Sequence, residues 1–482
     1  MDGILEHWRR QRSAALLAAS AVGLVACAAV PAAGPKPTPT AIATLAAHKS
    51  LAAPASDWPT DRWWDAYGDV QLSALVDESL KGSPTLAQAE ARLSEANAQV
   101  LVSGAATLPS IDATAQVSET EQSRVEGFPP FIQQLLPKGY KDQGRVALEA
   151  SYDLDLFGKN RAALAQAVSQ RDAVRADLAQ ARLTLSTAVA QAYGDLARLA
   201  AERATAAEAV RNRQQTQTLV ADRLRNGLDT RAELKQAEAQ TPASQADVES
   251  LDEQILLTQH KLAALLGEGP DRGLAIAPPA PETVKAFGLP PDVPLHLIGR
   301  RPDIVAARLR VEAAAKGIDV AKAAFFPDIT LSAYVGQQSL GLSQLLSPAA
   351  AIGSIGPAIT LPIFEGGKLR GAYRGARGQY DEAVADYDAT LVQALQDVAD
   401  SAASAQSAQR QLGDRKVALD AGEQAYAVAR LRYQGGLSSY VDVLTAENAV
   451  IDERRAYADA QARAFTLDIA LVRALGGGYA GA

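Results

Sequence analysis

Two stretches of the sequence, residues 159–225 and 368–434, have helical patterns far longer than the helices of ordinary globular domains. Neither stretch contains a proline, and small apolar residues such as Ala163, Ala167 and Val174 recur at helical spacing among charged ones. At a rise of about 1.5 Å per residue, each helix would be about 100 Å long. Uncapped patterns of this length indicate coiled-coil-like packing, so we expect a mainly helical chain with a small β part.

Each long stretch ends at a glycine-containing turn and is followed by a second helical pattern. Asn226-Gly227 ends the first stretch, and Gly435-Gly436 ends the second. Glycine tolerates a positive φ and commonly follows the last residue of a helix. The patterns that come next, at about residues 231–266 and 439–475, predict return helices. Each half of the chain is therefore expected to carry a long helical hairpin with its tip at the glycine turn.

The chain also contains an internal repeat. Gly158, in Leu-Phe-Gly-Lys, recurs as Gly367, in Ile-Phe-Glu-Gly-Gly-Lys, at an offset of 367 − 158 = 209 residues. Gly227 and Gly436, in the two turns, have the same offset, and so do Ala237-Glu238 and Ala446-Glu447. We interpret the repeat as a duplication, which predicts two similar structural halves related by pseudo-symmetry.

Two short segments in each half alternate apolar and polar residues with a period of two, which predicts β-strands. These strands are expected near residues 110–119, 144–154, 328–336 and 355–363. One apolar face and one polar face are typical of a transmembrane β-barrel, but four strands cannot close a barrel and open edges are not tolerated in lipid. Several protomers would therefore have to share one barrel. The alternation also fits a small soluble sheet that packs one face on a core.

The N-terminus has the order of segments found in a secretory signal. Arg9, Arg10 and Arg12 precede an apolar stretch, residues 14–26, that is too short to span a membrane. The sequence Leu-Val-Ala-Cys, ending at Cys27, resembles a bacterial lipobox, in which the cysteine is acylated and becomes the first mature residue. The alternative is a signal peptide that contains a cysteine by chance.

The predicted domain organisation has four parts. Residues 1–26 are a lipoprotein-type signal peptide, and residues 27–60 are an acylated N-terminus with a flexible tether rich in alanine and proline. The first structural repeat covers residues 61–285, and the second covers residues 286–482. Each repeat is expected to contain two strands and one helical hairpin, with the tips near residues 226–228 and 434–437.

Composition argues against several functional classes. A formal net charge of −8 and a pI near 5.3 do not fit a nucleic-acid-binding surface. Outside the signal, no stretch of about 20 apolar residues predicts a transmembrane helix. A single cysteine rules out an intramolecular disulfide. The four histidines lack metal-ligand spacing and no nucleophile motif is present, so we predict neither a metal site nor an enzymatic activity.

Four segments together resemble the TolC/OprM-type outer-membrane efflux channels, most closely their NodT-like lipoprotein branch. The segments are Arg-Arg-Pro-Asp-Ile at 300–304, Ala-Ala-Phe-Phe-Pro-Asp-Ile at 323–329, Leu-Pro-Ile-Phe-Glu-Gly-Gly at 361–367 and Arg-Tyr-Gln-Gly-Gly-Leu at 432–437. The resemblance extends over nearly the whole mature chain, about residues 63–477. It implies a homotrimer whose protomers close a 12-stranded barrel in the outer membrane, while their helices form a tunnel through the periplasm.

The function implied by this resemblance is passive conduction. An inner-membrane pump, proton-driven in this interpretation, delivers drugs, toxic compounds or metals to the channel through a periplasmic adaptor protein. The chain would then be the outer-membrane component of a tripartite efflux system, with outer-membrane lipid around it, no nucleic-acid partner, and no cofactor beyond lipid on Cys27. Two alternatives stay open: the outer-membrane conduit of a type I protein secretion system, and a periplasmic coiled-coil lipoprotein without a channel.

The resemblance also assigns roles to residues at the two turns. Asp442 and Tyr433 match the family's periplasmic gate, where a ring of acidic residues narrows the pore and a tyrosine holds the inner helices closed. Thr445 stands where the family often has a second aspartate, so the ring would be weaker here. The alternative roles are an exposed helix charge and a packing tyrosine. The tips match the adaptor-docking turns, or else serve as helix C-caps alone; their residues are Asn226, Gly227, Leu228, Gly435, Gly436 and Leu437.

Overall fold

A computed structural model of the chain describes residues 30–32, 34–47, 49–121, 123, 129–133, 138–279 and 288–480. The predicted signal peptide and Cys27 lie outside the described residues, and their assignment stays a prediction. The described residues form two compact units. Unit 1 takes its residues from the ranges 1–38, 94–172 and 309–385, and unit 2 takes its residues from 39–93, 173–308 and 386–482.

The described part of the chain is mainly helical, as the sequence predicts, and the long helices α4 and α9 have 67 residues each. The helices are α1 (Val70–Gly82), α2 (Pro84–Ala105), α3 (Pro130–Gln133), α4 (Lys159–Arg225), α5 (Arg231–Leu266), α6 (Pro270–Leu274), α7 (Val293–Arg300), α8 (Pro302–Ala323), α9 (Lys368–Gln434) and α10 (Tyr440–Ala474). The strands are β1 (Ser110–Thr120), β2 (Lys141–Asp153), β3 (Asp328–Leu340) and β4 (Ala351–Thr360). Short 3-10 helices lie at Ile42–Thr44, Trp63–Tyr67, Leu342–Gln344 and Pro348–Ala350. Over the described residues, no helix combines the length and the apolar character needed to cross a membrane.

Unit 1 contains an antiparallel sheet in which the described strands lie in the order β1-β2-β3-β4. The register pairs Asp112 with Glu149, Glu149 with Tyr334, and Tyr334 with Ser354. Successive side chains of a strand point to opposite faces, so these four residues share one face, which is polar. The opposite face is apolar and exposed in this chain; its large side chains include Ile111, Val117, Val146, Leu148, Val335 and Ile355.

The strand ends differ from the predicted ends by a few residues. Strand β4 ends at Thr360, although the alternation extends to residue 363, because Pro362 has no N–H to donate to a ladder. Strand β2 begins at Lys141, three residues before the predicted start, and Lys141 pairs with Thr120 at the end of β1. The first residues of β2 are all polar, so the hydrophobic period gives no signal for them.

The main buried cluster of unit 2 joins α1, α4, α5 and α10. Gly194 on α4 faces Phe465 on α10, and a Cβ atom at position 194 would lie 2.6 Å from Cδ1 of Phe465. The hydroxyl of the neighbouring Tyr193 donates a hydrogen bond to Asp69 at 2.7 Å. The absence of a side chain at Gly194 therefore allows α4 and α10 to approach closely around a few large aromatic residues.

Arg301, in the Arg-Arg-Pro-Asp-Ile segment, is a buried connection between helices of unit 2. Its Nη2 atom donates hydrogen bonds to Asp303 at 2.6 Å and to Asp397 at 3.1 Å. Its Nη1 atom donates to the carbonyl oxygen of Ala474 at 3.2 Å. Since these partners lie on α8, α9 and α10, one guanidinium group fixes three helices.

Some residues of the predicted tether, residues 27–60, form hydrogen bonds with α9. Within unit 1, Arg377 Nη2 donates to the carbonyl oxygen of Gly34 at 2.9 Å, and the Tyr380 hydroxyl donates to that of Pro37 at 3.1 Å. Proline has no N–H group, so a proline-rich segment does not form regular backbone hydrogen bonds, and its carbonyl groups can accept bonds from side chains instead. Composition alone does not reveal these acceptors.

Candidate gate and docking tips

The first tip joins α4 to α5 through a glycine in the left-handed conformation. Gly227 has a φ of +71°. The Leu228 N–H donates to the Arg223 carbonyl at 2.8 Å, and the Gly227 N–H donates to the Leu224 carbonyl at 3.0 Å. These two bonds form a Schellman motif, which satisfies the last carbonyl groups of the helix. Leu228 is 64% exposed at this tip, next to the exposed Asn226.

The second tip, between α9 and α10, has the same geometry. Gly436 has a φ of +75°, and the Leu437 N–H donates to the Arg432 carbonyl at 2.8 Å. Leu437 is 72% exposed. A Cβ atom at Gly227 or at Gly436 would meet no other atom within 4 Å. Both tips therefore present a small, apolar and open surface, while their glycines also serve as helix C-caps.

Each return helix begins with a capping box, and Asp442 belongs to the second one. The Ser439 N–H donates to Oδ2 of Asp442 at 2.9 Å, and the Asp442 N–H donates to the Ser439 hydroxyl at 3.3 Å. Thr230 and Glu233 form the equivalent box at the start of α5. The bonds from Ser439 lower the pKa of Asp442, and the charge of Arg432 lowers it further. Asp442 is thus an exposed, ionised carboxylate that also caps its own helix, a role that the sequence analysis missed.

Tyr433, at the end of α9, is bonded to the first tip. Its hydroxyl donates to Oδ2 of Asp229 at 2.5 Å, and Arg223 Nε donates to the same oxygen at 3.1 Å. Arg223 Nη1 also donates to the Tyr433 carbonyl at 3.0 Å, with the guanidinium carbon 4.5 Å from the centre of the Tyr433 ring. We call these three residues, Arg223, Asp229 and Tyr433, the latch. The latch connects the two helix-turn tips within unit 2.

Burial and charge keep the latch tyrosine neutral. Desolvation is the main cause that raises the pKa of Tyr433, followed by its hydrogen bond to Asp229. The hydrogen bond to Asp229 also raises the pKa of Arg223. Tyr433 is 1% exposed, and the side chains of Arg223 and Asp229 are 14% and 4% exposed. The latch therefore consists of charge-assisted hydrogen bonds shielded from water.

The two gate residues predicted from the sequence lie in different surroundings. Tyr433 is buried in a cluster with Tyr440 and Val443, whereas Asp442 is exposed. Thr445 is exposed as well, and its hydroxyl donates to the Val441 carbonyl at 2.8 Å. Among the described residues, no group of three or more His, Cys, Asp or Glu side chains is placed to hold a metal ion.

Two latch residues, Arg223 and Asp229, were not predicted from the sequence. A comparison of the two repeats could have indicated Asp229 but not Arg223, because Arg432 occupies the position that corresponds to Arg223. At the offset of 209 residues, Asp229 corresponds to Ser438, and Tyr433 corresponds to Leu224. A carboxylate and a tyrosine that each occur in one repeat alone, close to the turns, are candidates for a bond between the tips.

Comparison with known proteins identifies the family. A model of the outer membrane efflux protein family matches residues 75–268 and 293–477. The outer membrane protein VceC of Vibrio cholerae, known from a crystal structure, has 42% sequence identity with this chain. The match has a TM-score of 0.81 and covers 87% of this chain and 100% of VceC. OpmQ of Pseudomonas putida, a pyoverdine export outer membrane protein, is 30% identical, covering 95% of this chain and 96% of the relative. MdtP of Escherichia coli K12, a multidrug resistance outer membrane protein, is 28% identical over 88% of each chain.

These matches confirm the resemblance stated from the sequence motifs, and they extend over both halves of the chain. The family and the fold are those of outer-membrane channels. The chain therefore belongs to the outer membrane efflux protein family and is an outer-membrane efflux channel component.

Proposed function

We propose that three copies of this chain close one barrel of 3 × 4 = 12 strands in the outer membrane and form a passive exit channel for small solutes. The sheet of unit 1 carries this proposal. Its apolar face is exposed. Within the described sheet, β1 and β4 are the edge strands, and each pairs with one neighbouring strand. A sheet in water would cover its apolar face, and a sheet in lipid must have its edges paired. Three sheets joined edge to edge meet both requirements, with the polar face lining the lumen.

The helix-turn tips are proposed to receive a periplasmic adaptor protein, which connects the channel to a proton-driven inner-membrane pump. The exposed Leu228 and Leu437 offer apolar contacts at the two tips. Gly227 and Gly436 carry no side chain, so a partner helix can approach the backbone closely. Flow through the channel is driven by the pump, because the chain itself carries no nucleotide-binding motif.

The latch and Asp442 are proposed to form the periplasmic gate. The latch holds the two tips of one protomer together, which supports a closed state. Asp442 is exposed and ionised, and three copies around a three-fold axis would form a ring of negative charge that attracts cations. With Thr445 in place of a second aspartate, this ring has one carboxylate per protomer.

The names of the relatives support small organic molecules as the solutes. One relative is named for pyoverdine export and another for multidrug resistance. Solutes of such different chemistry indicate that selection takes place in the pump, and the channel would accept what the pump delivers. A type I protein secretion conduit would use a similar channel, so the test below includes a panel of solutes.

The channel is tested with purified protein and with a deletion strain. We expect the protein to run as a trimer and to conduct ions across a planar lipid bilayer. Deletion of the gene should increase sensitivity to several compounds in a panel of drugs and metals, and the wild-type gene should restore resistance. A monomer without conductance would contradict the barrel, and unchanged sensitivity to every compound would contradict efflux.

Cys27 is proposed to carry a lipid that anchors the mature N-terminus in the outer membrane. Each buried methylene of an acyl chain contributes about 0.8 kcal/mol to such anchoring. Because a closed barrel would hold the trimer in the membrane without this lipid, we expect Cys27→Ala to impair sorting or assembly more than conductance. The amount of trimer in outer-membrane fractions measures the first effect, and bilayer recordings measure the second. Loss of conductance in correctly inserted mutant trimers would instead assign the lipid a role in the channel.

A further inference from the structure

Glu447, on α10, is buried to an unusual degree for a carboxyl group. The residue is 2% exposed, and its Oε1 atom has no hydrogen-bond partner among the described residues. Carboxylates are almost never fully buried unless they are paired, because the interior solvates charge poorly. A carboxyl group in this position must either be compensated by a cation or hold a proton.

The cation that faces Glu447, Arg213 on α4, compensates its charge incompletely. Arg213 Nε lies 3.9 Å from Oε2 of Glu447, beyond hydrogen-bond distance, and Nε has no hydrogen-bond partner among the described residues. The other guanidinium nitrogens donate to neutral groups: Nη1 to Ser244 on α5 at 2.5 Å and Nη2 to Asn448 at 2.9 Å. Arg213 is therefore held in place by these bonds, and it attracts Glu447 without a direct hydrogen bond.

Two tyrosines complete the surroundings of Glu447. Tyr426 on α9 and Tyr440 on α10 interact electrostatically with its carboxyl group, and burial is the main cause that raises the pKa of each. The charged groups around Tyr426 are Glu208 on α4, Arg430 on α9 and Arg454 on α10. Arg454 is occupied by ion pairs of its own, since it contacts Glu208 at 2.6 Å. Glu447 thus lies within electrostatic reach of two tyrosines, and Arg213 is the cation that acts on it.

The same tyrosines connect Glu447 to the latch. The rings of Tyr440 and Tyr433 are 6.3 Å apart, and both belong to a buried cluster against which Tyr426 packs. Glu447 lies two helical turns beyond Tyr440 on α10. A charge on Glu447 would draw water toward this cluster, and loss of the charge would leave the cluster closed.

We propose that Glu447 is a proton-binding site that couples the pH of the surrounding solution to release of the latch. The carboxyl group holds a proton in the latched structure and loses it to solvent when the cluster opens and water reaches it. No other bond is made or broken in this step. The inference rests on the channel function proposed above.

The direction of the pH effect follows from the surroundings of Glu447. Burial raises the pKa of Glu447 above its ordinary value of 4.5, and the charge of Arg213 opposes this in part. The latched state therefore binds the proton more tightly than a state in which Glu447 is hydrated. The free energy by which this proton stabilises the latched state is fully present below the ordinary pKa of Glu447. It is lost as the pH rises through the raised pKa of the latched state. The pKa of Asp442 is lowered, so Asp442 titrates outside this window.

The first repeat supplies a matched control. Glu238 is the residue at the offset of 447 − 238 = 209 and occupies the same place on α5. Its side chain is 35% exposed and pairs with Lys235 at 2.6 Å. Glu238→Gln removes the same charge from a hydrated site, so it should not change the response to pH.

The test measures channel open probability in planar bilayers from about pH 5 to about pH 8, for the wild type, Glu447→Gln, Glu447→Asp and Glu238→Gln. Wild-type open probability should rise with pH, about tenfold for each unit by which the pKa of Glu447 differs between the latched and released states. Glu447→Gln should stay at the low-pH value throughout, because glutamine resembles the protonated acid. Glu447→Asp should respond to pH with a displaced midpoint, and Glu238→Gln should match the wild type.

Each outcome decides the proposal. A wild type that conducts without any response to pH overturns it, and so does a Glu447→Gln channel that keeps the wild-type response. If Glu447→Gln does not assemble as a trimer, the wild-type profile and Glu447→Asp decide instead: an unchanged midpoint in Glu447→Asp overturns the proposal. If no protein conducts under any condition, the channel function itself has failed, which is a different result.

Discussion

Replacing Tyr433 with phenylalanine removes one hydroxyl group from the latch and leaves the rest of the side chain in place. The lost bond is the one from the Tyr433 hydroxyl to Asp229, 2.5 Å long and shielded from water. Hydrogen bonds to charged groups contribute about 1.5–3 kcal/mol. Because Asp229 keeps its bond to Arg223 at 3.1 Å, we expect a loss near the lower limit, about 1.5 kcal/mol per protomer.

This loss corresponds to about a tenfold increase in the ratio of released to latched protomers, because a factor of ten requires about 1.4 kcal/mol. If the three latches of a trimer release together, the increase reaches about a thousandfold. Single-channel recordings of Tyr433→Phe should therefore show a higher open probability than the wild type. Hydrogen exchange should become faster in the first tip, around Asp229, because the latch no longer holds it.

Tyr440→Phe is the matched control for this experiment. Tyr440 is buried in the same cluster as Tyr433, but its hydroxyl makes no hydrogen bond among the described residues. This variant leaves the bond to Asp229 in place, so hydrogen exchange in the first tip should match the wild type. If Tyr433→Phe also behaves as the wild type in both measurements, the bond to Asp229 does not hold the tips together, and the latch has been assigned wrongly.

Three further predictions concern the tips and the fold. Gly436→Ala should weaken adaptor binding and destabilise the second tip by about 1 kcal/mol, because alanine disfavours a positive φ. Gly435→Ala, whose φ lies outside the left-handed region, should keep the wild-type unfolding temperature. Binding assays measure the first effect, and thermal unfolding of both variants measures the change in stability. Asp442→Asn should lower the unfolding temperature at neutral pH and lose this effect in acid. Because the pKa of Asp442 is lowered in the folded protein, its contribution to stability is present above its ordinary pKa of 3.8 and disappears as the pH falls through the pKa of the folded state. Equal unfolding temperatures of Asp442→Asn and the wild type at neutral pH would contradict this prediction. Arg301→Gln should destabilise the fold by about 1.5–3 kcal/mol, because it removes the hydrogen bonds of a buried cation to two half-buried carboxylates, and unchanged denaturation would contradict the anchoring role.

The long helices and the turns could be predicted from the sequence because local signals determine them. The helical spacing without proline gives α4 and α9, and the positive φ of Gly227 and Gly436 is what a glycine after a helix indicates. The faces of the strands could also be predicted, since the period of two fixes which residues share a face. Their ends could not, because the alternation continues past the end of β4 to residue 363, and the polar residues at the start of β2 give no periodic signal.

The contacts that form the candidate site are of a different kind. Asp229 and Tyr433 are 433 − 229 = 204 positions apart, and no local pattern indicates that two such residues meet. In the sequence, Glu447 looks like an ordinary surface charge on an amphipathic helix. Its burial depends on side chains of α4 and α9 and therefore cannot be predicted from α10 alone. Tertiary packing decides both cases, and periodicity within one helix does not contain that information.

The duplication explains why the latch needs residues from both repeats. If the first tip had a serine at position 229, as the second has at Ser438, the Tyr433 hydroxyl would lose its carboxylate partner. If the second tip had a leucine at position 433, as the first has at Leu224, that hydroxyl would be absent. The repeats keep the glycine turn and the capping box, which each hairpin needs for its own fold. The repeats differ where the bond between the tips forms: Asp229 corresponds to Ser438, and Tyr433 corresponds to Leu224. They also differ in the burial of Glu447 and of its counterpart Glu238, and only the buried Glu447 is proposed to hold a proton. Positions at which the two halves differ, within a turn that both conserve in shape, are therefore where mutations should change gating and leave the hairpin intact.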